Sequence, residues 1–145
     1  MEQVAELAQS KAELERFEQD LERLVRMLEE RGAFGIDRYS LGHIFGDDRR
    51  ARRLVEAARK RGLAPIVSTK RAIIANGRYR EATVYRIAQS ADELARFRHG
   101  MVSRIRNLAE SVRGLERAWR WHDPQISPLL DELLTRLDEP EAGDA

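Results

Sequence analysis

Residues 47–62 read Asp47-Asp48-Arg49-Arg50-Ala51-Arg52-Arg53-Leu54-Val55-Glu56-Ala57-Ala58-Arg59-Lys60-Arg61-Gly62, and the rest of the chain is understood from this stretch outward. Ala51, Val55 and Ala58 recur four and then three residues apart, so one helical face is small or apolar and buried while the others carry cations. Asp47 or Asp48 stands where an N-cap belongs. Gly62, preceded by Arg59, Lys60 and Arg61, provides the C-terminal stop. At about 100° per residue, Arg49, Arg52, Arg53 and Glu56 share the face opposite Ala51 and Val55, with Arg50 more to the side.

On the C-terminal side, residues 65–75 and 79–88 read as two strands. Asn76-Gly77 between them is the strongest short-range hairpin signal. Lys70 and Arg71 fall on the first strand, and Arg78 and Arg80 lie near the tip. On the N-terminal side, residues 38–45 form a short helix with Asp37 as N-cap and Leu41, Ile44 and Phe45 turned inward, and Gly46 makes the turn. Before it, residues 3–31 make a long helix. Leu7, Leu14, Leu21 and Leu28 repeat every seven residues, with Phe17 and Leu24 offset by three, which is a heptad seam. Gly32 and Gly35 end that helix.

Downstream, Ser90-Ala91-Asp92-Glu93 is a capping box opening a helix to about residue 121. In it Met101, Leu108 and Leu115 form one heptad row, and Ile105, Val112 and Trp119 the other. Asp123-Pro124 breaks the helix, and residues 128–138 form a last, leucine-rich one. The chain therefore divides into an N-terminal helix with a heptad seam (1–31), a core module (32–89), a dimerisation or partner region (90–138) and a frayed tail (139–145).

Charge is segregated along the 145 residues. The net charge is only +1 although 35% of residues are charged. Residues 1–31 carry −4 and residues 38–86 carry +9, whereas residues 90–122 carry +3 and residues 123–145 carry −6. A cationic centre between acidic ends calls for an anionic partner. A basic helix followed by a basic hairpin is what a duplex-binding module needs, because neutralised phosphates release counterions. Cysteine is absent, which excludes disulfides and thiolate metal sites. Met1-Glu2-Gln3-Val4 is unlike a signal peptide, and no apolar run approaches the ~20 residues of a membrane span. The expectation is a cytoplasmic protein without a membrane partner.

The order helix, helix, turn, basic helix, hairpin resembles a winged helix-turn-helix. Leu41-Gly42-x-x-x-Gly46 is similar to the pattern of the helix before the turn in that family. Arg49-x-Ala51-Arg52-Arg53-x-Val55-x-x-Ala58-Arg59-x-x-Gly62 is similar to its recognition helix. Pro65-Ile66-Val67-Ser68 resembles the first wing strand, and Val84-Tyr85-Arg86-Ile87-Ala88 the returning one. These patterns resemble the biotin-repressor-type wing domain and small winged-helix proteins of bacteriophages, over about residues 20–122. Ala51 and Ala58 stand where larger core residues are usual, the wing is longer than usual, and Ala82 replaces a glycine. The resemblance implies a mainly α fold with a small β-hairpin wing and a long coiled-coil-like C-terminal helix. It also implies a transcriptional or replication regulator, plausibly phage-encoded, that binds double-stranded DNA.

In that reading Arg49, Arg50, Arg52 and Arg53 approach the major groove, with Arg50 suited to a phosphate. Lys70, Arg71, Arg78 and Arg80 grip backbone or minor groove through the wing. The heptads pack within one subunit or form the seam of a homodimer, and a two-fold DNA site favours the homodimer. Trp119 continues a heptad row and is expected in the core, and Trp121 is expected beneath the final helix. The rival reading is an adaptor or inhibitor of a host machine such as RNA polymerase, docking through the C-terminal region with Trp121 as anchor. His43, His99 and His122 are scattered, so no metal site is expected. No nucleophile elbow, phosphate loop or metalloprotease motif occurs, so neither an enzyme nor a cofactor is expected.

Overall fold

The computed structural model describes residues 1–139. Its elements run α1 (Glu2–Arg31), β1 (Ile36–Asp37), α2 (Arg38–Phe45), α3 (Asp48–Lys60), β2 (Ile66–Ala75), β3 (Arg78–Ile87), α4 (Ala91–Trp119) and α5 (Ile126–Asp138). The class is the expected one: mainly α, with a small β-hairpin and a long C-terminal helix. Part of the tail expected over 139–145 lies outside the described residues. Two compact units divide at Leu94 and Ala95, inside α4.

In the first unit, Leu21, Leu24 and Leu28 of α1 pack with Leu41 and Phe45 of α2 and with Ala51, Leu54, Val55 and Ala58 of α3. Burying each leucine contributes roughly 1.5–3 kcal/mol of transfer free energy. The heptad seam of α1 is thus divided. Its C-terminal half is core, whereas Leu7 and Leu14 stay exposed. The antiparallel sheet runs β1-β3-β2. Ile36 pairs with Tyr85, and the β2–β3 ladder extends from Ile66↔Ile87 to Ala75↔Arg78. Asn76 and Gly77 close that hairpin with φ of 53° and 72°, the conformation favoured at a two-residue turn.

The strand β1 was not legible in the sequence, because two residues carry no periodicity. Gly35 makes it possible. Its φ is +64°, and a Cβ there would strike the Tyr85 carbonyl oxygen and come 2.6 Å from Arg86 Cβ. Only glycine lets the chain pass β3 that closely. Asp37 then ends β1 and caps α2, accepting from the Ser40 amide at 3.0 Å.

At the start of α4 the Ser90 hydroxyl accepts from the Glu93 amide at 3.1 Å. The Glu93 carboxylate reaches back to the Gln89 amide at 3.0 Å, one residue before the partner a standard capping box uses. It also pairs with Arg86.

The second unit is a pair of helices. Arg113 bridges α4 to Asp131 of α5 at 2.8 Å, and Arg106 donates to the Leu137 carbonyl at 2.5 Å. The buried Glu116 carboxylate accepts from the Ser127 hydroxyl and from Arg113 at 3.0 Å. Asp123 accepts from the amides of Gln125 and Ile126 at 2.8 and 3.0 Å. Those two donors, Ile126 first, hold its carboxyl below the usual carboxylate range. The helix α5 begins two residues earlier than expected. The expectations for the tryptophans are corrected here. Trp119 and Trp121 are 83% and 64% exposed, because α5 packs on the face of α4 carrying Arg106, Ala109, Arg113 and Glu116 and leaves the heptad rows uncovered.

Candidate nucleic-acid interface

Three constraints fix α3. Asp47 caps it, accepting from the Arg50 amide at 2.7 Å. Ala51, Leu54, Val55 and Ala58 set its rotation by burial. Asp48, in the first turn, is held by Arg38 of α2, whose Nη2 donates to Oδ2 at 2.7 Å, and by Arg52 at 3.1 Å. A carboxylate in this position also complements the helix dipole. The hydrogen bonds from Arg38 lower the Asp48 carboxyl from its ordinary value and raise the Arg38 guanidinium in return.

With the helix so held, its four N-terminal arginines part ways. Arg49 and Arg53 are exposed and pair with no acid at salt-bridge distance among the described residues. Arg52 is exposed but engaged with Asp48. Arg50 turns to α1, donating through Nη2 and Nε to Asp20 Oδ2 at 2.7 and 3.1 Å. Its guanidinium also lies 5.8 Å from the centroid of Phe17. Arg61 likewise binds Glu18 at 2.7 Å. Arg59 donates to the Ile66 carbonyl at 3.0 Å and lies over Tyr85, tying α3 to the sheet.

Sequence reading missed Lys60. It continues the row of Arg49, Arg53 and Glu56, and spacings of four, three and four residues could have revealed it. Lys60 pairs with Glu56 at 2.9 Å, and this contact, first, with Arg53 as a lesser contributor, lowers the Glu56 carboxyl. Between this row and α1 lies an open cleft of about 930 Å³, with Glu13, Leu14 and Phe17 on its far wall. A phosphate approaching from the α1 side meets carboxylates, whereas Arg52 occupies the other flank of α3.

The hairpin separates its cations by strand parity. Directly paired residues share a face, so Lys70↔Thr83 belongs with Ser68↔Tyr85 and Ile66↔Ile87, the face that packs on the core. Lys70 Nζ donates to the Thr83 hydroxyl at 3.1 Å. Arg71, Arg78 and Arg80 take the opposite face, and Arg71 donates to the Phe34 carbonyl at 3.0 Å. The pair Ile74↔Tyr79, both exposed, lies at the tip on the Lys70 face. The structure thus does not unite the four wing cations on one surface.

No cluster of three or more potential metal ligands occurs among the described residues, and no helix among them is long and apolar enough to cross a membrane. Comparison of the chain with protein-family models, curated proteins and solved structures gives no match.

Proposed function

We propose that this protein binds double-stranded DNA as a homodimeric winged helix-turn-helix regulator of transcription or replication, with α3 as the recognition helix. The observation that carries the reading is the outward row of α3, where Arg49 and Arg53 are exposed and salt-bridged to no acid among the described residues. A guanidinium held this way can address a guanine edge or a phosphate. The order α1, β1, α2, α3, β2, β3 supports it, because the hairpin follows the basic helix within one unit.

The roles within the site are unequal. Arg49 and Arg53 make the principal contacts, Arg52 joins them while stiffening the N-terminus of α3 through Asp48, and Arg50 braces α1. Lys70, with Tyr79 and Ile74 beyond it, grips DNA from one hairpin face. Arg71, Arg78 and Arg80 on the other face reach a neighbouring stretch of backbone.

The test is binding to random duplex DNA at two salt concentrations, comparing wild type with Arg49→Glu/Arg53→Glu. The expected result is affinity that falls steeply with salt, and a variant whose slope is shallower by about 0.9 for each phosphate it no longer neutralises. Binding indifferent to both substitutions would overturn the assignment. Exposed Trp121, beside Arg117, Arg120 and Pro128 at a cleft of about 550 Å³, favours a second reading, an adaptor for a host machine such as RNA polymerase. Trp121→Ala would then abolish function while the arginine variant retained it.

A further inference from the structure

The exposed row of α4 fits a second copy of the chain better than solvent. Met101, Ile105, Leu108, Val112, Leu115 and Trp119 alternate in steps of four and three, and each is between 36% and 83% exposed. Together they present on the order of 700 Å² of surface per copy, against roughly 800 Å² per partner in a standard stable interface. No charged residue interrupts the row from Met101 to Trp119. The α5 helix flanks it without covering it, and adds exposed Ile126, Leu129 and Leu133.

We infer that this row is the seam of a parallel, two-stranded coiled coil with α4 of a second copy. The orientation follows from which residue types occupy which positions. Ile105 and Val112 are β-branched and fall at a, whereas Leu108 and Leu115 fall at d, the combination that favours two parallel strands. Parallel pairing sets Arg104 beside Ala109 of the second copy and Ser111 beside its Glu116, so from Met101 to Trp119 no like charges meet across the seam; the two copies of Arg98 face each other just beyond its N-terminal end. Arg98, one heptad before Ile105 at a, ends the apolar run on the N-terminal side. The inference deepens the homodimer of the proposed function by naming its surface and orientation, and it holds whether or not DNA is the ligand.

The absence of cysteine makes the test clean. Full-length Met101→Cys and Leu115→Cys are each oxidised at micromolar concentration and run on a non-reducing gel, with sedimentation equilibrium of the wild type and of Leu108→Arg alongside. Parallel strands place each cysteine opposite its own copy, within reach of a disulfide, so both variants cross-link to dimer. Antiparallel strands that match the two rows end to end would separate the two Met101 positions by roughly 27 Å, at 1.5 Å rise per residue. Wild type should be a dimer and Leu108→Arg a monomer of unchanged helicity, because Leu108 is exposed within one chain and its replacement leaves no cavity. A monomeric wild type, a dimer insensitive to Leu108→Arg, or a dimer in which neither cysteine cross-links would each overturn the assignment. DNA binding that fails while both cross-links form would refute the DNA reading alone.

Discussion

Replacing Arg50 by alanine should lower stability and leave DNA affinity nearly intact, the reverse of what its place in a run of arginines suggests. The side chains of Arg50 and Asp20 are 32% and 23% exposed, with their closest contact at 2.7 Å. Exposed pairs contribute about 0.2–1 kcal/mol, and partial burial of this one moves it to the upper end of that range. The guanidinium over Phe17 adds roughly 0.5–1 kcal/mol. Together these give a destabilisation of about 1–2 kcal/mol for Arg50→Ala. For a domain of this size that lowers the midpoint of thermal unfolding by roughly 5–15 °C. A double-mutant cycle with Asp20→Ala isolates the pair and should return a coupling of about 1 kcal/mol. Urea titration followed at the ring protons of Tyr85, which is buried in the first unit, keeps the measurement separate from the second. Arg53→Ala should shift the urea midpoint little and weaken DNA binding by about 1–3 kcal/mol. An Arg50→Ala variant of wild-type stability that loses DNA as Arg53→Ala does would refute the reasoning and return Arg50 to the DNA face.

Gly35→Ala should destabilise the first unit by at least about 1–2 kcal/mol, the cost of a left-handed φ in an L-residue, because its Cβ would meet backbone at Tyr85; thermal melts of wild type and variant check this. Asp47→Ala removes the cap of α3 and should cost about 0.5–2 kcal/mol, measured as a lower urea midpoint with an unchanged slope. The Asp48 carboxyl is lowered in the fold by its hydrogen bonds from Arg38, and in the unfolded chain it titrates near 3.9. Its contribution is therefore fully present above about pH 4 and is lost as pH falls through the lower folded value. Stability curves between pH 2 and 6 should flatten in Asp48→Asn, and an unaltered acid limb would remove Asp48 as a cause.

Much of the fold was legible because it rests on local chemistry. The cap at Asp47, the stop at Gly62 and the Asn76-Gly77 turn are each decided by a few neighbouring residues. The stop and the turn fall in the structure where the sequence places them, and of the two cap candidates, Asp47 and Asp48, the structure uses Asp47; α2 and both hairpin strands lie within one residue of the expected bounds. The heptad rows were legible as rows, but not what covers them. A leucine every seventh residue looks the same in a core and in a subunit seam. In α1 the rule divides, with Leu21 and Leu28 buried and Leu7 and Leu14 exposed.

The sequence by itself determined the order of elements, the concentration of cations at residues 38–86 and the small buried face of α3. These depend on periodicity and composition, which short segments carry without help from the rest of the chain. Only the tertiary structure decided which cations are free. Asp20 lies 30 residues before Arg50 and Asp48 lies 10 after Arg38, and no local pattern announces either pair. Strand register likewise decided which face each wing cation joins, setting Lys70 with Thr83 and Arg71 with Ala82. The exposure of Trp119 was settled by where α5 docks, through Arg113 to Asp131 and Ser127 to Glu116. Those contacts join residues distant in sequence, and long-range pairing is a property of the folded chain alone.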